Sequence, residues 1–211
     1  MRRFAVAVLA SGLLGCSQPS PEPPAPATTP EPDVDVKTVA ETFETPRLPD
    51  DDVDSVAFWK GDAGEWLIAT AKATHVLHVY DAATGEHLRR VGGEGGEIGQ
   101  FRRPNGIAVA GDLALVVERD NRRVQFLRLP DFEPVGTAGG DVLRRPYGLA
   151  VLPGADGVHD LFVTDNYETP DEQIPPPAEL GERVKRFRWR LAGSTSSTAG
   201  PSSTLARSPA S

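Results

Sequence analysis

Arg103-Pro104-Asn105-Gly106-Ile107-Ala108-Val109 recurs further along the chain as Arg145-Pro146-Tyr147-Gly148-Leu149-Ala150-Val151. Downstream of each copy lies an apolar run that ends in Asp-Asn: Leu113 to Asn121 in the first case, Leu161 to Asn166 in the second. A third apolar stretch follows each, Arg123-Val124-Gln125-Phe126-Leu127 and Arg183-Val184-Lys185-Arg186-Phe187. A more divergent copy precedes both: Val53 to Trp59, Trp66 to Ala71, His75 to Tyr80, with the polar turn Asp81-Ala82-Ala83-Thr84-Gly85-Glu86 behind it. Each copy is therefore about forty residues of short strands separated by Gly, Pro and Asp-Asn turns, without a sustained helical period. Repetition at that spacing predicts an all-β fold, a β-propeller represented by about three four-stranded blades.

The flanks of the repeat region read differently. Arg2 and Arg3 precede the apolar run Phe4 to Leu14, which closes on Leu13-Leu14-Gly15-Cys16. A charged start, a short apolar run and a small residue before the cut make residues 1–15 a signal peptide. The run is about half the length of a bilayer-spanning helix. Its last four residues resemble a bacterial lipobox, which implies lipid attachment at Cys16, anchoring to a lipid bilayer through acyl chains, and a place in the cell envelope. Ser17 in place of aspartate points to the outer membrane of a Gram-negative bacterium. Cys16 is the sole cysteine of the 211 residues, so there is neither an intrachain disulfide nor a multi-cysteine metal site. Residues 16–49, rich in Pro, Ala, Thr and acidic side chains, read as a disordered tether. Residues 50–190 read as the propeller domain. The tail 191–211 turns abruptly to Ser, Thr, Gly and Pro, immediately after a third strand without a fourth, and reads as disordered low-complexity sequence of a truncated or frame-shifted product.

A formal net charge of −8 argues against a general nucleic-acid binder. The basic run Arg183, Lys185, Arg186, Arg188 and Arg190, interleaved with Val184, Phe187 and Trp189, reads as a solvated strand face. Other chemistry is poorly served. Asp50, Asp51, Asp52 and Asp54 begin like a calcium loop, but Ser55 and Gly61 stand where glycine and glutamate are required. His75 and His78, three apart on one strand, would face opposite ways and make a poor metal pair. Gly92 to Gly99 links strand to strand and does not carry the dinucleotide spacing.

In its repeat region the chain resembles the N-terminal half of the β-propeller phytases, calcium-dependent enzymes that remove phosphate from myo-inositol hexakisphosphate. The resemblance spans residues 50–190 and rests on Asp54-Ser55-Val56-Ala57-Phe58-Trp59, Leu67-Ile68-Ala69-Thr70-Ala71-Lys72, Val79-Tyr80-Asp81 with Gly85, Asp120-Asn121-Arg122, and Tyr147-Gly148-Leu149 followed by Phe162-Val163-Thr164. It implies a six-bladed ring, calcium, an inositol phosphate substrate, and phosphate contacts at Lys72 and Arg122. Candidate metal ligands are Asp54, Glu118, Asp120 and Asp165, although the Asp-Asn pairs equally suit turns that need Asx side chains. Ser55 replaces a second aspartate of the family pattern, and Asp165-Asn166 replaces a Gly-Lys pair. The family's calcium carboxylates lie largely in later blades, so activity is expected to be incomplete here, and the open blade edges invite self-association. A weaker similarity to NHL-type repeats offers the alternative of a non-catalytic module that binds protein, peptide or glycan.

Overall fold

The computed structural model describes residues 39–154 and 157–190. The signal peptide, Cys16, most of the tether and the 191–211 tail lie outside the described residues. Among the described residues eleven strands make three antiparallel sheets. The first contains β1 (Val53–Gly61), β2 (Gly64–Ala71), β3 (Val76–Asp81) and β4 (His87–Gly92), hydrogen-bonded in that order. The second repeats the order with β5 (Pro104–Ala110), β6 (Leu113–Glu118), β7 (Arg123–Arg128) and β8 (Glu133–Ala138). A third sheet pairs β9 (Pro146–Pro153), β10 (Val158–Asp165) and β11 (Val184–Arg190). Each is a meander in which neighbours in sequence are neighbours in space. A 3-10 turn, Pro177–Glu179, lies within the loop between β10 and β11.

Alternation along the strands explains how the sheets stack. In β6 all six side chains are buried. Leu113, Leu115 and Val117 turn to one side, where they meet Val124, Phe126, Leu161, Val163 and Trp189. Ala114 and Val116 turn to the other, into a core with Trp59, Ile68, Leu77, Val79 and Leu127. The period of two thus places the middle sheet between the others with an apolar core on each face. The rings of Trp59 and Trp66 lie 4.6 Å apart, and the Trp59 indole donates to Asp112 at 3.1 Å, so the aromatic core keeps its polar atom satisfied.

Register repeats as well. Val53 pairs with Ala71, Pro104 with Glu118, and Pro146 with Asp165. Beside each of these pairs the ladder is irregular, which bends the start of the first strand of every sheet. The architecture is all-β and β-propeller-like. The expected strands are present, and the structure adds β4 and β8, which had no distinct sequence signal. The sheets lie within a compact unit that begins at Glu41. Phe43 lies against Gly85, where a β-carbon would come within 2.5 Å of its ring.

Candidate functional site

The starts of β1, β5 and β9 share one end of the sheets with the turns β2–β3, β6–β7 and β10–β11. The meander order requires this. All six candidates, Asp54, Lys72, Glu118, Asp120, Arg122 and Asp165, therefore fall at the same end.

Glu118 and Asp165 occupy the same register position and do the same work. Glu118 is fully buried. One of its oxygens accepts from Arg123 Nε and Gln125 Nε2, both at 2.6 Å, and the other accepts the Arg102 backbone N–H at 3.1 Å together with the Asn121 amide. Asp165, equally buried, accepts the backbone N–H groups of Arg144 and Arg145 and the Lys185 ammonium at 2.9 Å. Each carboxylate ties the approach to a first strand to a cation on a third strand. Arg123 continues the clamp onto the carbonyls of Gly96, Glu97 and Gln100, which fixes the glycine-rich connection between the first two sheets. In the first sheet Ala71 holds this position, and the buried carboxylate comes instead from Asp51 on the incoming segment, bound to His78 at 2.7 Å.

These contacts decide how the metal candidates fit. Calcium asks for six to eight oxygens. Neither Glu118 nor Asp165 presents an oxygen to solvent, and a buried carboxylate with its lone pairs taken by internal donors is a structural latch. Asp54 is paired with Lys72 at 3.2 Å and Asp120 with Arg119 at 2.6 Å. Among the described residues no three His, Cys, Asp or Glu side chains converge as a metal site. The described set does not fit calcium.

The cation candidates fare differently. Lys72 follows β2 rather than lying on it, and its ammonium reaches Asp54 and Asp52 with 13% of the side chain exposed. Burial opposes its charge, but the hydrogen bond and charge of Asp54 prevail and hold the group above the ordinary lysine value. Arg122 is exposed and has left-handed backbone at φ 56°. His75 (φ 59°) and Glu182 (φ 60°) occupy the equivalent place before β3 and β11, so the turn geometry is a property of the repeat. His75 thus sits in a turn, not on β3 with His78. Its Nδ1 accepts the Arg103 N–H at 2.9 Å.

Sequence reasoning missed three features here. Asn105, equivalent in register to Asp54 and Tyr147, is fully buried with both amide atoms unpaired, while its backbone carbonyl accepts Thr70 Oγ1 at 2.5 Å. Tyr167 is sandwiched between the guanidinium groups of Arg144 at 3.8 Å and Arg183 at 4.4 Å, which anchors the β10–β11 loop. Arg186 and Arg188 share Asp160, at 2.6 and 3.4 Å, so part of the basic run on β11 is neutralised within its own sheet. Cross-strand partners of this sort leave no mark in a linear motif.

No family model matches the chain, and no curated protein matches it. Among solved structures it is similar to the Kuenenia stuttgartiensis hydrazine synthase, at 14% identity and a TM-score of 0.40 over 65% of this chain. The match spans 38% of that chain's length.

Proposed function

We propose that the three sheets are consecutive blades of a six-bladed propeller of the phytase-like kind, and that the end bearing Lys72 and Arg122 is a mouth for a phosphorylated, polyanionic ligand. The observation that carries this reading is the placement at one end of exposed Arg122 and of Lys72, which Asp52 and Asp54 hold in position, cations drawn from different sheets. A ligand such as myo-inositol hexakisphosphate, dense in negative charge, is best served by cations fixed in place before it arrives. Arg122 is held out by its turn, and Lys72 is kept charged by Asp54.

Calcium-dependent phosphomonoester hydrolysis is the activity implied by the family resemblance. It would need metal ligands beyond Glu118 and Asp165, both spent on internal latches. That closure favours the second reading, a propeller module that binds without catalysing. Attachment to a bilayer through lipidated Cys16, at the outer membrane, completes the proposal, together with self-association through the outer faces of the first and third sheets.

Titration calorimetry of the full chain with myo-inositol hexakisphosphate, alongside phosphate release in the presence of calcium, tests it. Binding that weakens about tenfold in Arg122→Ala supports the mouth. Absence of binding with and without calcium refutes it. Calcium-dependent release of phosphate by the chain would favour the enzyme over the binding module.

A further inference from the structure

On the outer face of the first sheet, away from the second, a chain of three titratable groups runs from the incoming segment to the edge strand. Asp51 Oδ2 lies 2.7 Å from His78 Nε2, and His78 Nδ1 lies 2.9 Å from His87 Nε2. Asp51 and His78 are buried, at 6% and 1% exposure, while His87 on β4 is exposed. We propose that Asp51, His78 and His87 form a proton-operated clasp that holds the segment before β1 against this sheet at neutral pH and releases it on acidification.

Proton counting gives the mechanism. With both rings neutral, His78 Nε2–H donates to the Asp51 carboxylate, and His78 Nδ1 accepts from His87 Nε2–H. One added proton is tolerated on the outward Nδ1 of His87, since the resulting cation still donates to His78. A second proton has no acceptor. It would set two N–H groups nose to nose across 2.9 Å, with two imidazolium charges in contact. The other groups facing His78 do not relieve this. Arg90 on β4 adds a further cation, 3.7 Å from Asp51, and Tyr80 on β3 lies 6.0 Å from the ring. The pairing residue on β2 is Ala69, which is apolar.

The clasp borders an open-sided cavity. Thr45 and Leu48 of the segment line it together with Val56, Leu67, Ala69 and Tyr80, around a volume of about 400 Å³. Asp51 fixes the end of that segment, its N–H donating to Leu48 O at 3.2 Å and its carbonyl accepting Ala73 N–H at 3.1 Å. The equivalent position in the second sheet holds Gln125, which bonds Glu118 without titrating. Position 78 is therefore where this repeat exchanges a permanent link for a titratable one.

Burial lowers His78 below the ordinary histidine value, outweighing the hydrogen bond and charge of Asp51. Burial raises Asp51, but its contacts with Thr74 and His78 prevail and leave it below the ordinary carboxylate value. Thr74 Oγ1 falls short of full hydrogen-bond geometry, which makes His78 the firmer partner. A histidine depressed on folding leaves stability intact above its unfolded value and costs stability as pH falls below it. The depressed aspartate adds a second loss only in stronger acid.

Amide hydrogen exchange at Asp51 and Ala73 of the full chain, whose N–H groups bond Leu48 O and Asp51 O, is the test at about pH 7.5 and about pH 5, corrected for intrinsic rate. Protection should fall about tenfold or more in the native chain and hold in His78→Gln. Should that variant fail to fold, His87→Asn serves instead and should keep the segment protected to lower pH. NMR titration should show His78 and His87 coupled, with one proton shared before the second enters. Protection independent of pH, equal loss in the variant that folds, or two histidines titrating independently at ordinary values would overturn the clasp.

Discussion

Glu118 and Asp165 show how far a residue's role can depart from its local sequence. Asp120-Asn121 lies in a turn, as the pattern places it, whereas Asp165 closes β10 and Asn166 follows it. What the linear order conceals is that the Glu118 and Asp165 carboxylates are spent on partners from distant positions, the backbone N–H groups of Arg102, Arg144 and Arg145. No spacing rule encodes a donor that becomes available only when another strand bends at its start. Glu118→Ala leaves Arg123 and Gln125 facing a buried void, and should destabilise by about 3–5 kcal/mol in urea unfolding. Asp120→Ala removes only the surface pair with Arg119 and should cost less than about 1 kcal/mol. Equal effects of the two substitutions would contradict the distinction between latch and surface pair.

Strands were the most legible elements, because alternation and the prolines at their starts are properties of contiguous residues. The Arg-Pro motifs mark the openings of β5 and β9, and the apolar run that begins at Leu113 holds β6, which the structure shows to be buried throughout. β4 was not legible. Five of its six residues are exposed and it carries two adjacent arginines, so its hydrophobic period is erased even though it completes a ladder with β3. Its last residue has a defined task. Gly92 has φ 83°, and a β-carbon there would come within 2.2 Å of the buried Phe101 ring. Gly92→Ala combines backbone strain with that overlap and should cost about 1–3 kcal/mol or more. Gly93, with nothing near its virtual β-carbon, is the control, and Gly93→Ala should be close to neutral in thermal unfolding. If the two glycines respond alike, the packing of this connection is wrong.

For the molecule as a whole, the repeat in the sequence announced the stack of sheets, while the residues left at its ends follow from topology alone. The outer face of the first sheet exposes Val56 and Phe58, and that of the third exposes Leu152 and Val184. Apolar side chains on the flat ends of a sheet stack favour association. Sedimentation should show concentration-dependent self-association that Phe58→Lys weakens, and a monomer at every concentration would remove that expectation. The candidate mouth was legible only as residue types. Their placement at one end needed the meander order and the shared register of Ala71, Glu118 and Asp165. Hydrogen exchange of the full chain, with and without myo-inositol hexakisphosphate, tests the central claim most directly. The expected result is added protection in the turns at residues 72–75 and 119–122, with none at the opposite end around residues 62–63 and 111–112. Protection confined to that opposite end, or no change anywhere at saturating ligand, would contradict it.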